Sequence, residues 1–362
     1  MNTLILYLDK DKYDIDLLVL HPHGTLMKEI PLNVNIIYGT PFFDTIDESL
    51  IELLRKFQVA KLIKKLRLLF YMKTGLIKRK IIKERKKMLT KQYDVELACK
   101  EGFCTIFTAY GDSLRKLNWV LTDYSVCNYS KNHMPLVKNA LRLIDLNIAD
   151  SKQALEAYEK VFEVDNGTVI HNLMDIDKVV TGMKNKDACI VNTAGLNVIS
   201  VARFHPQKAL DRLLYAHKYA IDRGIEHNLY IVGSGFQEAM LRKIVKDNNL
   251  KNVFFVGIKQ NPYADIAKCD LYVLCSKYEG FATVINESLI AGTPVLSTRV
   301  SGVEEQIMEE CHGWICENNQ ESLNIAYYEA LKDPKRLQEM KKALVYYHYP
   351  NDEILKQFEE VL

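Results

Sequence analysis

Short apolar runs alternate with longer amphipathic stretches in the C-terminal half of the chain. The runs predict strands at 198–200, 229–232, 253–256, 271–275 and 295–297. The stretches between them have helical spacing and predict helices at 209–223, 237–248, 261–267 and 284–291. Gly292 and Pro294 end the last of these helices. This alternation is typical of a parallel, doubly wound α/β sheet, whose ligands bind beyond the carboxyl ends of the strands.

The N-terminal half has similar segments at less regular spacing. Its pattern predicts the end of a helix at 1–8 and helices at 48–57 and 152–162. Strands are predicted at 13–20, 34–37, 93–98, 117–121, 145–149 and 167–170. Segment 174–187 is polar and weakly periodic, so we place the domain boundary there, between residues 175 and 176.

Length and composition agree with two soluble α/β domains. The 362 residues exceed what one core usually covers, and 48% are hydrophobic and 26% charged. No apolar run is long enough to span a bilayer, and we expect no signal peptide. The eight cysteines form no CxxC pair or Cys/His cluster, so we expect no structural zinc and reduced cysteines in a cytoplasmic protein.

Positive charge is concentrated between Arg55 and Lys91. This segment has fifteen Lys and Arg residues and one acid, Glu84, a net charge of +14, which leaves −12 on the rest of the chain. Apolar residues lie between the basic ones at helical spacing, which favours contact with an anionic membrane surface. A solvated helical hairpin and a nucleic-acid patch are the alternatives. Because the 20 tyrosines form no stacking stripe, we expect no nucleic-acid partner.

Two glutamates flank a predicted helix N-terminus. Glu279 lies on the loop after one strand, and Glu287 lies in the following helix. The unpaired N–H groups between them suit a diphosphate, and Gly280 lets the backbone approach a ligand. Glu287 can accept hydrogen bonds from two hydroxyl groups, as on a ribose. The alternative is a pair of helix-capping acids on an ordinary α/β unit.

Two cations follow another strand of the same half. Arg203 and Lys208 lie on a strand-to-helix loop at the predicted ligand edge. Arg binds phosphate oxygens through two nitrogens, and Lys adds a point charge. Together they would hold a diphosphate and offset the charge that grows on it as a leaving group. Solvated surface charge is the alternative for either residue.

These motifs together resemble those of glycosyltransferase family 4. The similarity is carried, in order, by segments 200–208, 231–235, 278–281 and 286–295. Segments 118–124, 169–173 and 349–354 resemble, more loosely, the capsular and exopolysaccharide branch of that family. The resemblance implies an α/β protein of the GT-B fold, with two Rossmann-like doubly wound domains facing a cleft. Residues 1–175 would be the acceptor side, 176–345 would bind the nucleotide sugar, and a helix in 346–362 would pack back towards the first domain.

The same resemblance implies roles for individual residues in a retaining transfer from a nucleotide sugar, usually UDP-linked. Arg203 and Lys208 would hold the diphosphate and Glu287 the ribose. Glu279 would bind hydroxyls of the donor sugar and support the charge that develops at the anomeric carbon. Backbone groups would contact the donor at Gly233, Gly280, Phe281, Ala282, Thr283 and Val284, and Asp123 would lie on the acceptor side.

No cofactor or metal is implied by the resemblance. Two Asp-x-Asp strings occur, Asp14/Asp16 and Asp175/Asp177. The first lies in a predicted strand and the second at the domain boundary, so neither fits the metal site of the other large glycosyltransferase fold, GT-A.

Two departures from the family bear on turnover. The resemblance implies a first strand and a Gly-rich loop ahead of the first helix, and we expect this sequence to start within that helix. Leu121 occupies the position where the family often has a histidine, and Leu neither donates a hydrogen bond nor transfers a proton.

The sequence leaves three functions open. The leading one is a transferase that adds a sugar to a lipid-linked acceptor in cell-surface polysaccharide biosynthesis, at the cytoplasmic face of the membrane. The second is a catalytically impaired partner subunit of a heteromeric glycosyltransferase. The third, an epimerase, would need acid/base carboxylates in the N-terminal half, where no convincing set is present.

Overall fold

The computed structural model describes residues 1–22, 27, 29–126, 133–185, 188–190 and 195–362. The chain divides into two compact units. The first comprises Met1–Asp150, Ala154–Leu173 and Asp352–Leu362, and the second comprises Ser151–Gln153 and Met174–Asn351.

Helices and strands alternate through both units. Up to residue 173 they are α1 (Asn2–Tyr7), β1 (Asp16–Val19), β2 (Asn35–Tyr38), α2 (Leu50–Arg55), α3 (Val59–Lys73), α4 (Ile77–Met88), β3 (Val95–Ala98), α5 (Phe103–Ala109), β4 (Arg115–Val120), α6 (Met134–Leu141), β5 (Leu146–Ala149), α7 (Lys152–Phe162) and β6 (Gly167–Val169). Beyond it they are α8 (Ile176–Met183), β7 (Leu196–Val201), α9 (Leu210–Ile221), β8 (His227–Val232), α10 (Glu238–Asp247), β9 (Val253–Gly257), α11 (Tyr263–Lys268), β10 (Leu271–Leu274), α12 (Thr283–Ile290), β11 (Val295–Thr298), α13 (Val303–Gln306), β12 (Gly313–Cys316), α14 (Gln320–Lys332), α15 (Pro334–Leu344) and α16 (Asn351–Val361).

The first unit is built on a parallel sheet of order β3-β4-β5-β6, with β1 and β2 as a separate parallel pair. Asn118 lies fully buried in this sheet, where its amide donates to Asn147 Oδ1 and to the Tyr158 hydroxyl, each at 3.0 Å. Satisfied bonds of this kind let a polar side chain occupy the core. The Trp119 ring packs on Phe358 of α16 at a centroid distance of 5.1 Å.

The basic segment forms a helical hairpin, α3 and α4, anchored by apolar side chains. Leu68, Ile77 and Ile81 are buried in the core of the first unit. Many of its cations are paired with acids: Lys61 with Glu48, Lys64 with Asp44, Lys80 and Lys87 with Glu84, Arg85 with Glu96, and Lys91 with Asp14. The acids outside the segment therefore offset part of the charge that the sequence concentrates here, and Glu84 pairs within the segment.

The second unit has a six-stranded parallel sheet of order β12-β11-β10-β7-β8-β9. One face packs against α9 and α14 and the other against α8, α11 and α12. This confirms the predicted doubly wound α/β sheet. Strand order reverses between β7 and β10, and such a switch point is where open α/β sheets bind ligands.

The hydrophobic pattern did not predict the helices α5, α6, α8, α13, α14 and α15. Segment 174–187, interpreted as an irregular junction, contains α8, which begins after Asp175. The Asp175 carboxylate accepts a hydrogen bond from the Lys178 amide at 3.0 Å, and Val179 is fully buried against the second unit's core. The short helices α5 and α6 were also not predicted. Both are only seven or eight residues long and are stabilised by buried contacts such as those of Ile106 and Val137, which too short a stretch of periodicity does not reveal.

Candidate functional site

Two loops leave the sheet of the second unit at the switch point. One follows β7 and contains Arg203 and Lys208, and the other follows β10 and contains Glu279. The Lys277 amide donates to the Gln207 carbonyl at 2.7 Å, and the Gln207 side-chain amide donates to the Tyr278 carbonyl at 3.0 Å. The two loops are therefore joined directly, although they lie about seventy residues apart in the chain.

Lys208 and Glu279 meet at this junction. The Lys208 ammonium lies 2.5 Å from Glu279 Oε1, and the side chains are only 17% and 10% exposed. The hydroxyl of the buried Ser276 donates to the same oxygen at 2.5 Å. Low exposure strengthens this charge-assisted contact. Two residues predicted separately for the donor thus lie in one hydrogen-bonded group.

Arg203 takes a different place on the first loop. Its side chain is exposed, while the neighbouring Phe204 is buried and anchors the loop in the core. The Arg203 carbonyl accepts a hydrogen bond from the His205 amide at 2.8 Å. The assignment of Arg203 to a diphosphate stays a prediction.

Helix α12 begins beside Glu279. Ala282 caps it without a side-chain hydrogen bond, so the N–H groups at Thr283 and Val284 lack the usual side-chain acceptor at a helix start. The loop ahead is fixed by neutral contacts: Ser151 Oγ donates to the Gly280 carbonyl and the Gln306 amide donates to the Ala282 carbonyl, each at 3.0 Å.

Close packing holds Phe281 in this loop. Gly302 has φ +77°, and a Cβ at this position would lie 2.8 Å from the Phe281 ring and 3.0 Å from the Gly280 carbonyl oxygen. A side chain here would therefore displace the loop that offers its amides. Gly302 lies on another loop, after β11, and was not among the predicted site residues.

Glu287 lies one helical turn further along α12. The Tyr263 hydroxyl of α11 donates to Glu287 Oε1 at 3.2 Å. Burial raises the pKa of Glu287, while this hydrogen bond and the charge of Lys178 act in the opposite direction. The carboxyl group is thus a half-buried acceptor with a defined protein partner.

A buried tyrosine lies near both glutamates. The Tyr272 hydroxyl of β10 donates to the Val201 carbonyl at 3.1 Å, which joins the two strands of the switch point at their ends. Burial raises the pKa of Tyr272, and the charges of Glu287 and Glu279 add to the effect. Both carboxylates therefore lie within electrostatic range of one phenol.

The close packing of two loops requires a glycine at position 233. Its φ is +137°, and a Cβ would lie 2.0 Å from the Ala202 carbonyl oxygen at the end of β7. The neighbouring loop is tied in by the Phe204 amide, which donates to the Ser234 carbonyl at 2.8 Å. A glycine is needed here for two loops of the ligand edge to cross.

The sequence did not single out Ser276, Gln207 and Tyr263 as site residues. Ser276 is the first polar residue after β10 and lies three residues before Glu279, a spacing that could have pointed to it. Gln207 and Tyr263 reach the glutamates only through tertiary contacts, so no local pattern marks them.

The predicted acceptor-side residues belong to the first unit. Asp123 is nearly buried, and its Oδ1 accepts hydrogen bonds from the Ser125 amide at 2.8 Å and hydroxyl at 2.6 Å. Such a bond to the residue two places on is typical of a turn. Leu121 is 37% exposed, and its amide donates to a Glu101 carboxylate oxygen at 3.3 Å.

Within the residues that the structure describes, no group of three or more His, Cys, Asp or Glu side chains could hold a metal ion. The two Asp-x-Asp strings have structural partners: Asp16 accepts from the Tyr93 hydroxyl at 2.6 Å, and Asp175 caps α8. None of the described helices is long and apolar enough to cross a bilayer.

Comparison with known proteins matches part of the chain to a family. The family described as glycosyl transferases group 1 matches residues 190–344. N-acetyl-alpha-D-glucosaminyl L-malate synthase of Bacillus anthracis is 26% identical over 45% of this chain. N-acetylgalactosamine-N,N'-diacetylbacillosaminyl-diphospho-undecaprenol 4-alpha-N-acetylgalactosaminyltransferase of Campylobacter jejuni is 27% identical over 62% of this chain.

The aligned parts make up only 44% and 63% of those two relatives' own lengths. Among solved structures, HepE of Anabaena in complex with UDP-glucose has a TM-score of 0.65 at 18% identity, over 96% of this chain and 98% of its own. That similarity concerns the fold. Residues 190–344 therefore match the glycosyl transferases group 1, and the chain has the GT-B glycosyltransferase fold.

Proposed function

We propose that the chain is a retaining glycosyltransferase that moves a sugar from a UDP-linked donor to a lipid-linked glycan acceptor in the synthesis of a cell-surface polysaccharide. The observation that carries the proposal is the buried Lys208–Glu279 contact at the switch point, next to the N-terminus of α12. A cation, a carboxylate and the amides of a helix start without a side-chain cap, all at one sheet edge, suit a nucleotide diphosphate with an attached sugar.

The chemistry follows from charge. As the bond between the anomeric carbon and the diphosphate oxygen breaks, its electron pair leaves with the diphosphate. Lys208, Arg203 and the amides at Thr283 and Val284 would stabilise that growing negative charge. Glu279, held by Ser276, would bind donor-sugar hydroxyls and support positive charge at the anomeric carbon. The reaction needs no redox group, and the basic side chains supply the charge compensation that a metal gives elsewhere.

The choice of donor and acceptor rests on relatives. HepE was crystallised with UDP-glucose, which supports a UDP-linked donor. The Campylobacter relative is named for a diphospho-undecaprenol acceptor, which supports a lipid-linked glycan. We propose accordingly that the protein works at the cytoplasmic face of the membrane.

Calorimetric titration of the purified chain with UDP, GDP and ADP tests the donor site. We expect UDP to bind most tightly and Lys208→Ala to weaken that binding. A panel of UDP-sugars, followed by mass spectrometry of products on short-chain undecaprenyl-diphosphate glycans, then tests transfer. If no nucleoside diphosphate binds, the donor assignment is wrong.

Leu121 supports the second candidate, a partner subunit that does not turn over. It offers no proton-transferring group at a position where the family often has histidine. This candidate predicts nucleotide binding without transfer by the isolated chain, and transfer only on addition of a second protein. Transfer by the isolated chain, with a rate unaffected by such a partner, would contradict it.

The helical hairpin supports peripheral membrane contact. On α3 the side chains of Ile63, Leu66 and Phe70 are 62%, 52% and 58% exposed and follow one another at helical spacing. Exposed Arg67 and Lys73 lie among them. Apolar side chains on one helix face with cations beside them suit an anionic bilayer surface.

Vesicle flotation tests this membrane contact and distinguishes its apolar contribution from its electrostatic one. We expect binding to phosphatidylglycerol vesicles and not to phosphatidylcholine vesicles. Ile63→Ser with Phe70→Ser should abolish it, and Lys78→Gln with Arg79→Gln should weaken it in a salt-dependent way. Val345→Ser with Tyr346→Ser, an exposed pair in the second unit, is the matched control. Equal binding by all variants would exclude the hairpin as the anchor.

A further inference from the structure

Tyr263 is fixed against Glu287 from two sides. It is the first residue of α11, its side chain is buried, and its hydroxyl lies 3.2 Å from Glu287 Oε1 on α12. Asn261 Oδ1 accepts a hydrogen bond from the Tyr263 amide at 3.1 Å, and the Asn261 amide donates to the Gly182 carbonyl at 2.9 Å. These bonds tie α8, α11 and α12 together around one carboxyl group.

Gly182 leaves the room that this arrangement needs. A Cβ on Gly182 would lie 2.6 Å from Asn261 Oδ1 and 2.6 Å from Tyr263 Cδ2. Any side chain at the C-terminal end of α8 would therefore push the tyrosine ring or the asparagine amide away. The ring position is thus set by packing and by two hydrogen bonds outside α12.

We infer that Tyr263 is a positioning residue for Glu287, and that it turns this carboxylate into an acceptor for the two adjacent ribose hydroxyls of the donor nucleotide. The inference rests on the proposed function. The hydroxyl of Tyr263 occupies one acceptor position of Oε1 and fixes the rotation of the carboxyl group. The remaining oxygen lone pairs are then oriented for a vicinal diol, which a rotating carboxylate would hold less well.

The electrostatics of the pocket agree with this geometry. Burial raises the pKa of Glu287, whereas Tyr263 and the charge of Lys178 on α8 lower it. Tyr272 on β10 also interacts with Glu287, and its own pKa is raised, so it stays neutral. On α12 and β11 the neighbouring polar side chains, Asn286, Ser288, Ser297 and Thr298, are uncharged. Without the Tyr263 hydroxyl, Glu287 should therefore take up a proton at a higher pH.

Tyr263→Phe tests the inference, with UDP and 2′-deoxy-UDP titrated between pH 5 and 8. We expect roughly three- to ten-fold weaker UDP binding at pH 7 and a smaller loss for 2′-deoxy-UDP, because the variant loses one hydrogen bond at the carboxylate. The pH at which half of the UDP affinity is lost should move upward. The Glu287→Gln variant should keep only the pH dependence that the UDP phosphate itself contributes, and Tyr263→Phe should add little to it.

The outcomes distinguish a wrong role for Tyr263 from a wrong proposed function. Tyr215→Phe, at a more exposed tyrosine of α9, is the control and should change neither affinity nor midpoint. If Tyr263→Phe lowers thermal stability but leaves the pH midpoint and the preference for ribose unchanged, the residue is structural and the inference is wrong. If the unmodified chain binds no nucleoside diphosphate at any pH, the proposed function fails, and this inference fails with it.

Discussion

The Lys208 ammonium lies 2.5 Å from Glu279 Oε1, and the two residues come from different loops of the same sheet edge. The pair fixes both side chains in one position, and Ser276 holds the carboxylate from the other side. An ammonium group has three donors, so Lys208 can keep this contact and still bind a phosphate oxygen. The ion pair therefore orients the cation and the carboxylate that we assign to the donor's leaving group and sugar.

Glu279→Gln should reduce sugar transfer by about 10²–10³-fold, because it removes a charge that supports the transition state while keeping the side-chain shape. The measurement is the initial rate of product formation at saturating donor. Thermal unfolding is recorded alongside, and Glu339→Gln, an exposed acid of α15, is the control. A rate equal to that of the unmodified chain would remove Glu279 from the catalytic group.

Lys208→Ala should weaken UDP binding by about 1.5–3 kcal/mol, the usual value of a charge-assisted hydrogen bond. UMP binding should change less, since UMP lacks the second phosphate. Arg203→Ala should have a smaller effect at high salt than at low salt, because the side chain is exposed. Lys335→Ala on α15 serves as the control, and calorimetry provides the affinities. Identical UDP affinity in Lys208→Ala would contradict its assignment to the diphosphate.

His227 should make the protein less stable in mild acid. Burial and the nearby His217 lower the pKa of His227 to about 4, although a hydrogen bond to the Ile225 carbonyl acts the other way. The Tyr327 hydroxyl and His217 Nδ1 lie 2.8 Å and 2.9 Å from Nε2, within a buried cluster that favours the neutral ring. The unfolded chain takes up this proton near pH 6.5.

Stability should therefore be fully present above pH 6.5 and decline as the pH falls towards 4, by about 3 kcal/mol for this one group. Urea unfolding between pH 7.5 and 4 measures the decline. His227→Gln should flatten it, while His348→Gln, at an exposed histidine, should not. Parallel curves for His227→Gln and the unmodified chain would show that His227 does not titrate on unfolding.

Ionised Glu84 should also stabilise the fold, and this contribution should be lost at a lower pH than that of His227. Burial would raise the pKa of Glu84, but hydrogen bonds from Lys80, Lys87 and Thr40 outweigh it and lower the pKa to about 2. The group is ionised in the folded state well below its ordinary titration range. Its contribution should be present above pH 4.5 and disappear as the pH falls towards 2, about 3 kcal/mol in all.

Comparing Glu84→Gln with the unmodified chain at pH 7 and pH 3 tests this step. We expect the variant to be less stable at pH 7 and the difference to shrink at pH 3. Glu329→Gln removes an exposed ion pair with Lys332 and should have almost no effect at either pH. A constant difference for Glu84→Gln at both pH values would assign its effect to packing instead of charge.

Local periodicity was sufficient to predict the sheet of the second unit. Its strands are buried on both faces and read as continuous apolar runs, and Gly292 with Pro294 marks the end of α12. The loops that carry Arg203, Lys208 and Glu279 follow directly from those strands. Where periodicity was weak, as at α8, the prediction failed, because that helix depends on a local N-cap at Asp175 and on the burial of Val179 against other elements.

The sequence by itself thus determined which side chains reach the ligand edge, since strand order along the chain and strand-to-helix loops are local properties. Only the tertiary structure decided how those side chains are held. The fold brings Lys208 to Glu279, Tyr263 to Glu287, and Glu96 to Arg85 of the basic hairpin. Charge and hydrogen bonding act over a few ångströms in space, and no pattern of neighbouring residues along the chain encodes that distance.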